Sequence, residues 1–438
     1  MAGLVKKTIA DVDVKGKRVL MRVDFNVPQD DSGAITNPQR IVGALPTIQM
    51  ALDGGAKAVI LMSHLGRPDG QPNPKMTLKP VSEKLAELIG KPVTFLADCV
   101  GPEVEAACAD PAEGSIILLE NLRWHVEEEG KGIKHEAGCP GAKCEKKAPS
   151  KGEKCEKFKA TAEETAAFRD SLAKLGDVYV NDAFGTAHRA HSSMVGMQGK
   201  MPCVAGKLMS LELDAFSQVL DADKVQRPLT AIVGGAKISD KILVIENLID
   251  KADKLIACGG MAYTFMKIAY GMEIGKSLFD KNGAELVPKL MEKAKAKGVE
   301  IVLPCDWKCG QDFKNDQETQ FVTKEQGIPE GWEGMDCGPA SMELFRETVL
   351  SSKTVIWNGP AGVFEFDNFS AGTKSLLEAV AELTQKGGKG IIGGGDSATA
   401  AAKWNMEDQV HFVSTGGGAS LELLEGKVLP GLAALDDK

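Results

Sequence analysis

Short apolar runs alternate with helical patterns along this chain, and that alternation constrains the fold more than any other feature. In the first half Arg18–Val23, Ala56–Met62, Ser115–Leu119 and Asp177–Val180 read as strands. In the second half Leu229–Val233, Lys254–Cys258, Val299–Leu303, Thr354–Trp357, Gly390–Ile392 and Val410–Val413 do the same. Runs that are apolar throughout, rather than at every second residue, belong to strands buried on both faces. Amphipathic helices lie between them. Ile41, Leu45, Ile48 and Leu52 fall on one helical face. Thr161-Ala-Glu-Glu164 is a capping box that opens a helix with Phe168, Leu172 and Leu175 turned inward. Further helices are expected near 238–249, 283–297, 340–351 and 370–385. Strands alternating with helices imply parallel sheets covered on both faces, an α/β architecture.

So many strands exceed one comfortable sheet, and 438 residues suit two or three domains, so the chain is expected to split. The break is expected between Met194 and Pro228. There the helical pattern Leu208–Leu220 lies between a Gly/Pro-rich stretch and Gln226-Arg-Pro228 and reads as a rigid connector. Glu127–Lys159 is rich in Lys, Glu and Gly and reads as a solvated loop or insertion.

Composition removes several classes. Apolar residues at 43% and charged residues at 26% exclude a disordered or collagen-like chain. No uncharged apolar run approaches the roughly 18 residues of a membrane span, so no membrane partner is expected. The net charge of −9, without a long basic stripe, argues against nucleic acid. Met1–Lys7 has neither the apolar core of a secretory signal nor the character of a transit peptide. Ten scattered cysteines with no C-x-x-C read as reduced thiols, and a cytoplasmic location is expected.

The strand ends carry the chemistry, because ligands of an open parallel sheet sit at its carboxyl edge. In the first half those ends are charged. Arg18–Val23 runs into Asp24-Phe25-Asn26, and Ala56–Met62 into Ser63-His64-Leu65-Gly66-Arg67. Ser115–Leu119 runs into Glu120-Asn121-Leu122-Arg123, and Asp177–Val180 into Asn181-Asp182, with His188, Arg189 and His191 beyond. Arg40 opens the first helix. Arginines converging from separate strands imply a polyanionic ligand, which the planar guanidinium grips through paired hydrogen bonds. In the second half the ends are glycine-rich: Gly234-Gly235-Ala236-Lys237, Gly259-Gly260, Asn358-Gly359-Pro360-Ala361-Gly362, Gly393-Gly394-Gly395-Asp396-Ser397 and Gly416-Gly417-Gly418. Backbone N–H groups in such turns, each before a helix, make anion sites and point to a nucleotide. Lys237 and Lys241 stand at i and i+4, so both are expected to face one phosphate chain. Asp396 reads either as a Mg²⁺ ligand or as a helix N-cap. Two familiar motifs fail on context. Gly271–Ser277 lacks one P-loop spacer and follows no strand, and Gly388–Gly393 enters a strand rather than leaving one.

These strings closely resemble the phosphoglycerate kinase family. Arg22-Val-Asp-Phe-Asn-Val-Pro28, Ser63-His-Leu-Gly-Arg-Pro68, Glu120-Asn-Leu-Arg123 and Asp182-Ala-Phe-Gly-Thr-Ala-His-Arg189 carry the likeness in order. Gly234-Gly-Ala-Lys237, Trp357-Asn-Gly-Pro360, Gly393-Gly-Gly-Asp396 and Ser414-Thr-Gly-Gly-Gly-Ala419 continue it. The resemblance implies two Rossmann-like, doubly wound parallel-sheet domains joined by a hinge helix. It implies a triose-phosphate domain over 1–207, with residues from about 417 to 438 packing back on it, a helix over 208–221, and a nucleotide domain over 222–416. The implied reaction is reversible phosphoryl transfer between 1,3-bisphosphoglycerate and Mg-ADP, giving 3-phosphoglycerate and ATP, by a monomer of glycolysis.

The resemblance also implies sites. Arg40, Lys237, Gly395 and Gly418 would serve the transfer. Val23, Asp24, Phe25, Asn26, Gln39, Arg40, Ser63, His64, Gly66, Arg67, Leu122, Arg123, His188 and Arg189 would line the triose site. Gly235, Ala236, Lys237, Lys241, Gly259, Gly260, Gly334, Met335, Asn358, Pro360, Gly362, Val363, Glu365, Asp396 and Ser397 would line the nucleotide site, with Asp396 the Mg²⁺ ligand. Lys207 and Leu208 stand where the family usually has Gly-Phe, and Ser397 where it usually has Thr. His135, Cys139, Cys144 and Cys155 have poor zinc spacing. A dinucleotide oxidoreductase would instead show a glycine fingerprint after an early strand, where this chain has arginines. A non-catalytic relative would lack Arg40, Lys237 or Asp396, and all three are here.

Overall fold

The computed structural model describes residues 4–134 and 156–438. The His135, Cys139, Cys144 and Cys155 group lies outside the described residues. One compact unit runs to Leu213 and takes back Val428–Lys438; the other is Asp214–Lys427.

The first unit is built on strands β1 (Arg18–Arg22), β2 (Ala58–Met62), β3 (Val93–Phe95), β4 (Ser115–Leu118), β5 (Lys131–Lys134), β6 (Glu156–Lys159), β7 (Val178–Asn181) and β8 (Cys203–Ala205). Six of these form a parallel sheet in the order β3-β4-β2-β1-β7-β8. Its helices are α1 (Gln39–Asp53), α2 (Lys79–Ile89), α3 (Pro102–Ala109), α4 (Val126–Glu129), α5 (Ala162–Lys174), α6 (Ser192–Val195) and the start of α7 (Lys207–Leu220). The apolar runs dictate this arrangement. All five side chains of β2 are buried. Ile41 and Ile48 of α1 enter the same core, with Leu45 and Leu52 packed against it. The expected capping box forms: the Thr161 hydroxyl accepts from the Glu164 amide at 3.1 Å, and Glu164 Oε2 accepts from the Thr161 amide at 2.8 Å. The returning tail is pinned by Lys6, whose Nζ donates to Leu435 O at 3.0 Å and to Asp437 Oδ1 at 2.7 Å.

The second unit holds β9 (Leu229–Val233), β10 (Lys254–Ala257), β11 (Glu300–Val302), β12 (Asp306–Gly310), β13 (Gln320–Thr323), β14 (Glu333–Cys337), β15 (Thr354–Asn358), β16 (Lys389–Ile392) and β17 (Phe412–Val413). The parallel sheet runs β11-β10-β9-β15-β16-β17. Its helices are α8 (Ile242–Ile249), α9 (Gly260–Tyr270), α10 (Lys281–Ala284), α11 (Val287–Lys297), α12 (Pro339–Leu350), α13 (Ala371–Gln385), α14 (Gly395–Lys403) and α15 (Gly418–Leu424). The fold is α/β with two parallel sheets, as the alternation predicts.

Three local readings are corrected. The stretch read as a solvated loop or insertion is not all loop: it opens within helix α4, β5 near its start pairs antiparallel with β6 at its end, and Glu128 within it is buried. The polar string Glu127-Glu-Glu129 hid this, because its buried member is held by hydrogen bonds rather than by apolar packing. Second, β12, β13 and β14 form a separate antiparallel sheet that the apolar-run criterion passed over. Those strands carry Asp306, Lys308, Gly310, Gly334 and Asp336, so their pattern is not apolar. Third, Lys237 and Lys241 lie in the turn before α8 and not on a helix, so the one-face argument for them does not hold.

Candidate active site

Each parallel sheet reverses its winding direction once, and the reversal leaves a crevice at the carboxyl edge. In the first sheet it falls between β1 and β7; in the second, between β9 and β15. Many of the residues expected to function follow those strands or their immediate neighbours, while Gln39 and Arg40 stand on α1, Gly334 and Met335 on β14, and Gly418 after the edge strand β17.

In the first unit β4, β2, β1 and β7 are adjacent and parallel, so their outgoing loops meet at one edge. Hydrogen bonds weave these loops together. The Phe25 amide donates to Ser63 Oγ at 2.8 Å, and the Gly66 amide to Asn26 Oδ1 at 2.9 Å. Arg123 donates to Gly66 O at 2.9 Å, and Leu122 N to Ser63 O at 3.0 Å. Arg40, in the first turn of α1, is ion-paired with Asp24. Arg67 and Arg189 are exposed and form no ion pair among the described residues. Gln39 is exposed, whereas Val23, Phe25 and Leu122 have buried side chains, so any ligand contact they make is through backbone.

His64 is buried here. Burial, followed by the charges of Arg123, Arg22, His191 and Arg40, holds its pKa well below the usual value. His191 is pushed down to about 3 by burial and then by Arg123, Arg22 and Arg189. Cations therefore crowd this edge, and the two rings stay neutral among them.

Sequence reading did not single out the group that supports this edge. Arg22 is wholly buried, its Nε donating to Ser193 Oγ at 2.9 Å. Glu128 lies 4.0 Å from Arg22 and accepts from the Ser193 hydroxyl at 2.6 Å and its amide at 2.8 Å. The available signal was an arginine closing the apolar run Val19-Leu-Met21.

In the second unit the loops after β9, β15 and β16 are cross-bonded. Gly234 N donates to Asn358 O at 2.9 Å, Asn358 Nδ2 to Gly393 O at 2.9 Å, and Gly359 N to Ser397 Oγ at 2.7 Å. A side chain at Gly234 would lie 2.1 Å from Pro360 O, so only glycine permits this approach. Lys241 Nζ lies 2.5 Å from Asn358 Oδ1, and burial lowers its pKa to about 8. Lys237 and Ala236 are exposed beside it in sequence.

Gly259 caps α9 and Gly260 begins it; Gly394 caps α14 and Gly395 begins it; Gly417 caps α15 and Gly418 begins it. Asp396 is thus not an N-cap but an exposed acid in the first turn of α14. Gly334 and Met335 lie on β14, with Val363 N donating to Met335 O at 2.8 Å. Gly362 leaves no room for a side chain above Asp336, and Glu365 is exposed.

The family model for phosphoglycerate kinase matches residues 9–427. The chain is 58% identical over 433 residues to phosphoglycerate kinase of Hypocrea rufa, covering 99% of each. It is 57% identical over 431 residues to that of Gallus gallus, covering 98% of each. Among solved structures, phosphoglycerate kinase from Coxiella burnetii superposes with a TM-score of 0.82 at 35% identity, covering 98% of both chains. That from Pyrococcus horikoshii OT3 gives 0.71 at 28%, again covering 98% of both. With the family model spanning nearly the whole chain and relatives above half identity matched end to end, the chain belongs to the phosphoglycerate kinase family.

Proposed function

We propose that the unit ending at Leu213 binds 3-phosphoglycerate or 1,3-bisphosphoglycerate, and that Asp214–Lys427 binds ADP or ATP. The observation that carries this is the pair of sheet reversals, one edged with arginine and histidine, the other with glycine turns at helix starts. Arg67, Arg123 and Arg189, with His64 and His188, clamp the triose carboxylate and its stable phosphate. Asp24 and Asn26 orient the triose and Arg40. The backbone of Val23, Phe25, Ser63, Gly66 and Leu122, with Gln39, completes that wall. On the nucleotide side Gly235, Ala236, Gly259, Gly260, Gly334, Met335, Pro360, Gly362 and Val363 enclose the nucleoside and phosphates, and Glu365 takes the ribose. Lys241, Asn358 and Ser397 hold the phosphate end.

The exposed carboxylate of Asp396, beside glycine turns, fits Mg²⁺, which takes one or two carboxylates along with phosphates. The ion would neutralise phosphate charge as it shifts during transfer. In the ATP-consuming direction the nucleophile is the triose carboxylate, already ionised at neutral pH. No general base is required. Arg40 and Lys237 neutralise the transferring phosphoryl, and the amides of Gly395 and Gly418 donate to its oxygens. Helix α7 acts as the hinge that lets the substrates meet. The enzyme works as a cytoplasmic monomer without nucleic-acid or membrane partners. A coupled assay with ADP, Mg²⁺ and 1,3-bisphosphoglycerate tests the reading. Turnover without Mg²⁺ dependence would remove the metal from it, and no turnover would remove the reading itself.

A further inference from the structure

Arg22 has no place among the ligand contacts proposed above, yet its guanidinium is shut away from solvent at the end of β1. Nε donates to Ser193 Oγ at 2.9 Å, one Nη donates to Val23 O, and the other lies 3.2 Å from His64 Nδ1. Glu128 supplies the counter-charge at 4.0 Å and is itself fixed by two hydrogen bonds from Ser193.

A guanidinium has five N–H donors and no acceptor. The contact with His64 therefore has one possible polarity: Nδ1 accepts and carries no proton. An imidazolium, a donor at both nitrogens, is incompatible with it. The ring is then neutral, with its single proton on Nε2. The electrostatic surroundings agree, since burial and then Arg123, Arg22, His191 and Arg40 all oppose a charge on the ring. No hydrogen-bond partner of Nε2 is found among the described residues.

We propose that Arg22 is a positioning residue for the triose: it fixes His64 as the Nε2–H tautomer and leaves that N–H to donate to the substrate anion. This rests on the reading above that His64 belongs to the triose site. The arrangement adds a directed donor without adding another charge to an edge already crowded with arginine. Metal-bound histidines are oriented by a partner on the far ring nitrogen too, with the polarity reversed: there the far nitrogen donates, and here it accepts.

The test is ¹⁵N NMR of the full-length enzyme labelled at histidine, between pH 6 and 8. His64 is expected to show an unprotonated Nδ1 and a protonated Nε2 throughout, and adding 3-phosphoglycerate should move the Nε2–H signal. A proton on Nδ1, or an imidazolium at pH 6, would overturn the inference. The expected tautomer with no response to 3-phosphoglycerate would instead overturn the placement of His64 in the triose site, and with it this role of Arg22. Arg22→Lys keeps the charge but loses the fork. Its KM for 3-phosphoglycerate is expected to rise roughly tenfold, the scale of one charge-assisted hydrogen bond, without a matching rise for ATP. Equal rises for both substrates would mark a general structural defect and count against positioning. If that variant does not fold, the wild-type spectrum decides alone.

Discussion

Lys241 holds Asn358 by two contacts, its Nζ lying 2.5 Å from Oδ1 and 3.2 Å from the backbone oxygen. A lysine proposed for phosphate is thereby parked on the strand end that borders its site. Burial lowers its pKa from 10.5 to about 8. It is charged at pH 7 and loses that charge as pH rises through about 8. The KM for ADP should accordingly climb between pH 8 and 9. Lys241→Met should raise that KM at pH 7 and flatten the profile. Parallel profiles for the two proteins would exclude Lys241 from phosphate binding.

Arg40→Ala separates catalysis from folding. The side chain is 42% exposed and its ion pair with Asp24 lies at the edge of the unit. Asp24 is only 15% exposed, so the pair is half-buried; its loss should cost about 1 kcal/mol and lower the melting temperature by only a few degrees. Turnover should fall by at least about a hundredfold, the scale seen when one donor to a transition-state oxygen is removed. Undiminished turnover in a folded variant would strip Arg40 of its assigned task.

Why some of this could be read from the chain and some could not follows from how each residue is held. β2 announces itself because Ala58–Met62 is apolar from end to end. The glycine turns announce themselves because their backbone must approach another backbone; at Gly234 nothing larger fits beneath Pro360. Glu128 is invisible for the opposite reason. It is buried through hydrogen bonds to Ser193, far away in sequence, while its neighbours Glu127 and Glu129 remain partly exposed. Lys237 and Lys241 show a spacing that suits a helix, but α8 begins only at Ile242, so the spacing carried no geometric meaning. Local pattern reports burial by apolar contact; it does not report partners contributed by distant segments.

His191 gives a pH-dependent stability with a defined sign. Its pKa falls from 6.5 to about 3 on folding. The folded form thus binds fewer protons than the unfolded form, and stability drops as pH falls below about 6.5. Each unit costs about 1.4 kcal/mol, or about 2 kcal/mol by pH 5. Asp182 and Asp336, raised to about 6 and about 7 chiefly by burial, act with the opposite slope from 3.8 upward. The wild-type curve therefore mixes both, and a comparison with His191→Gln isolates one. Urea unfolding should show the variant gaining on wild type as pH is lowered from 7 to 5. A constant difference across that range would mean that folding leaves the pKa of His191 unshifted.

Gly395 permits a test of a single backbone amide. It is the first residue of α14, follows the cap Gly394, and has open space where a side chain would go. Proline is well tolerated at a first helical position, because that N–H has no partner within the helix. Gly395→Pro should therefore keep α14 and the fold while deleting one donor. If that amide contacts the transferring phosphoryl, turnover should fall by about two orders of magnitude. Gly395→Ala, which keeps the amide, should lose far less. Circular dichroism and thermal melting would verify that both variants are folded, and the coupled assay would give the rates. Equal losses in the two variants would point to crowding at the phosphates rather than to the missing N–H, and full activity in the proline variant would dismiss the amide altogether.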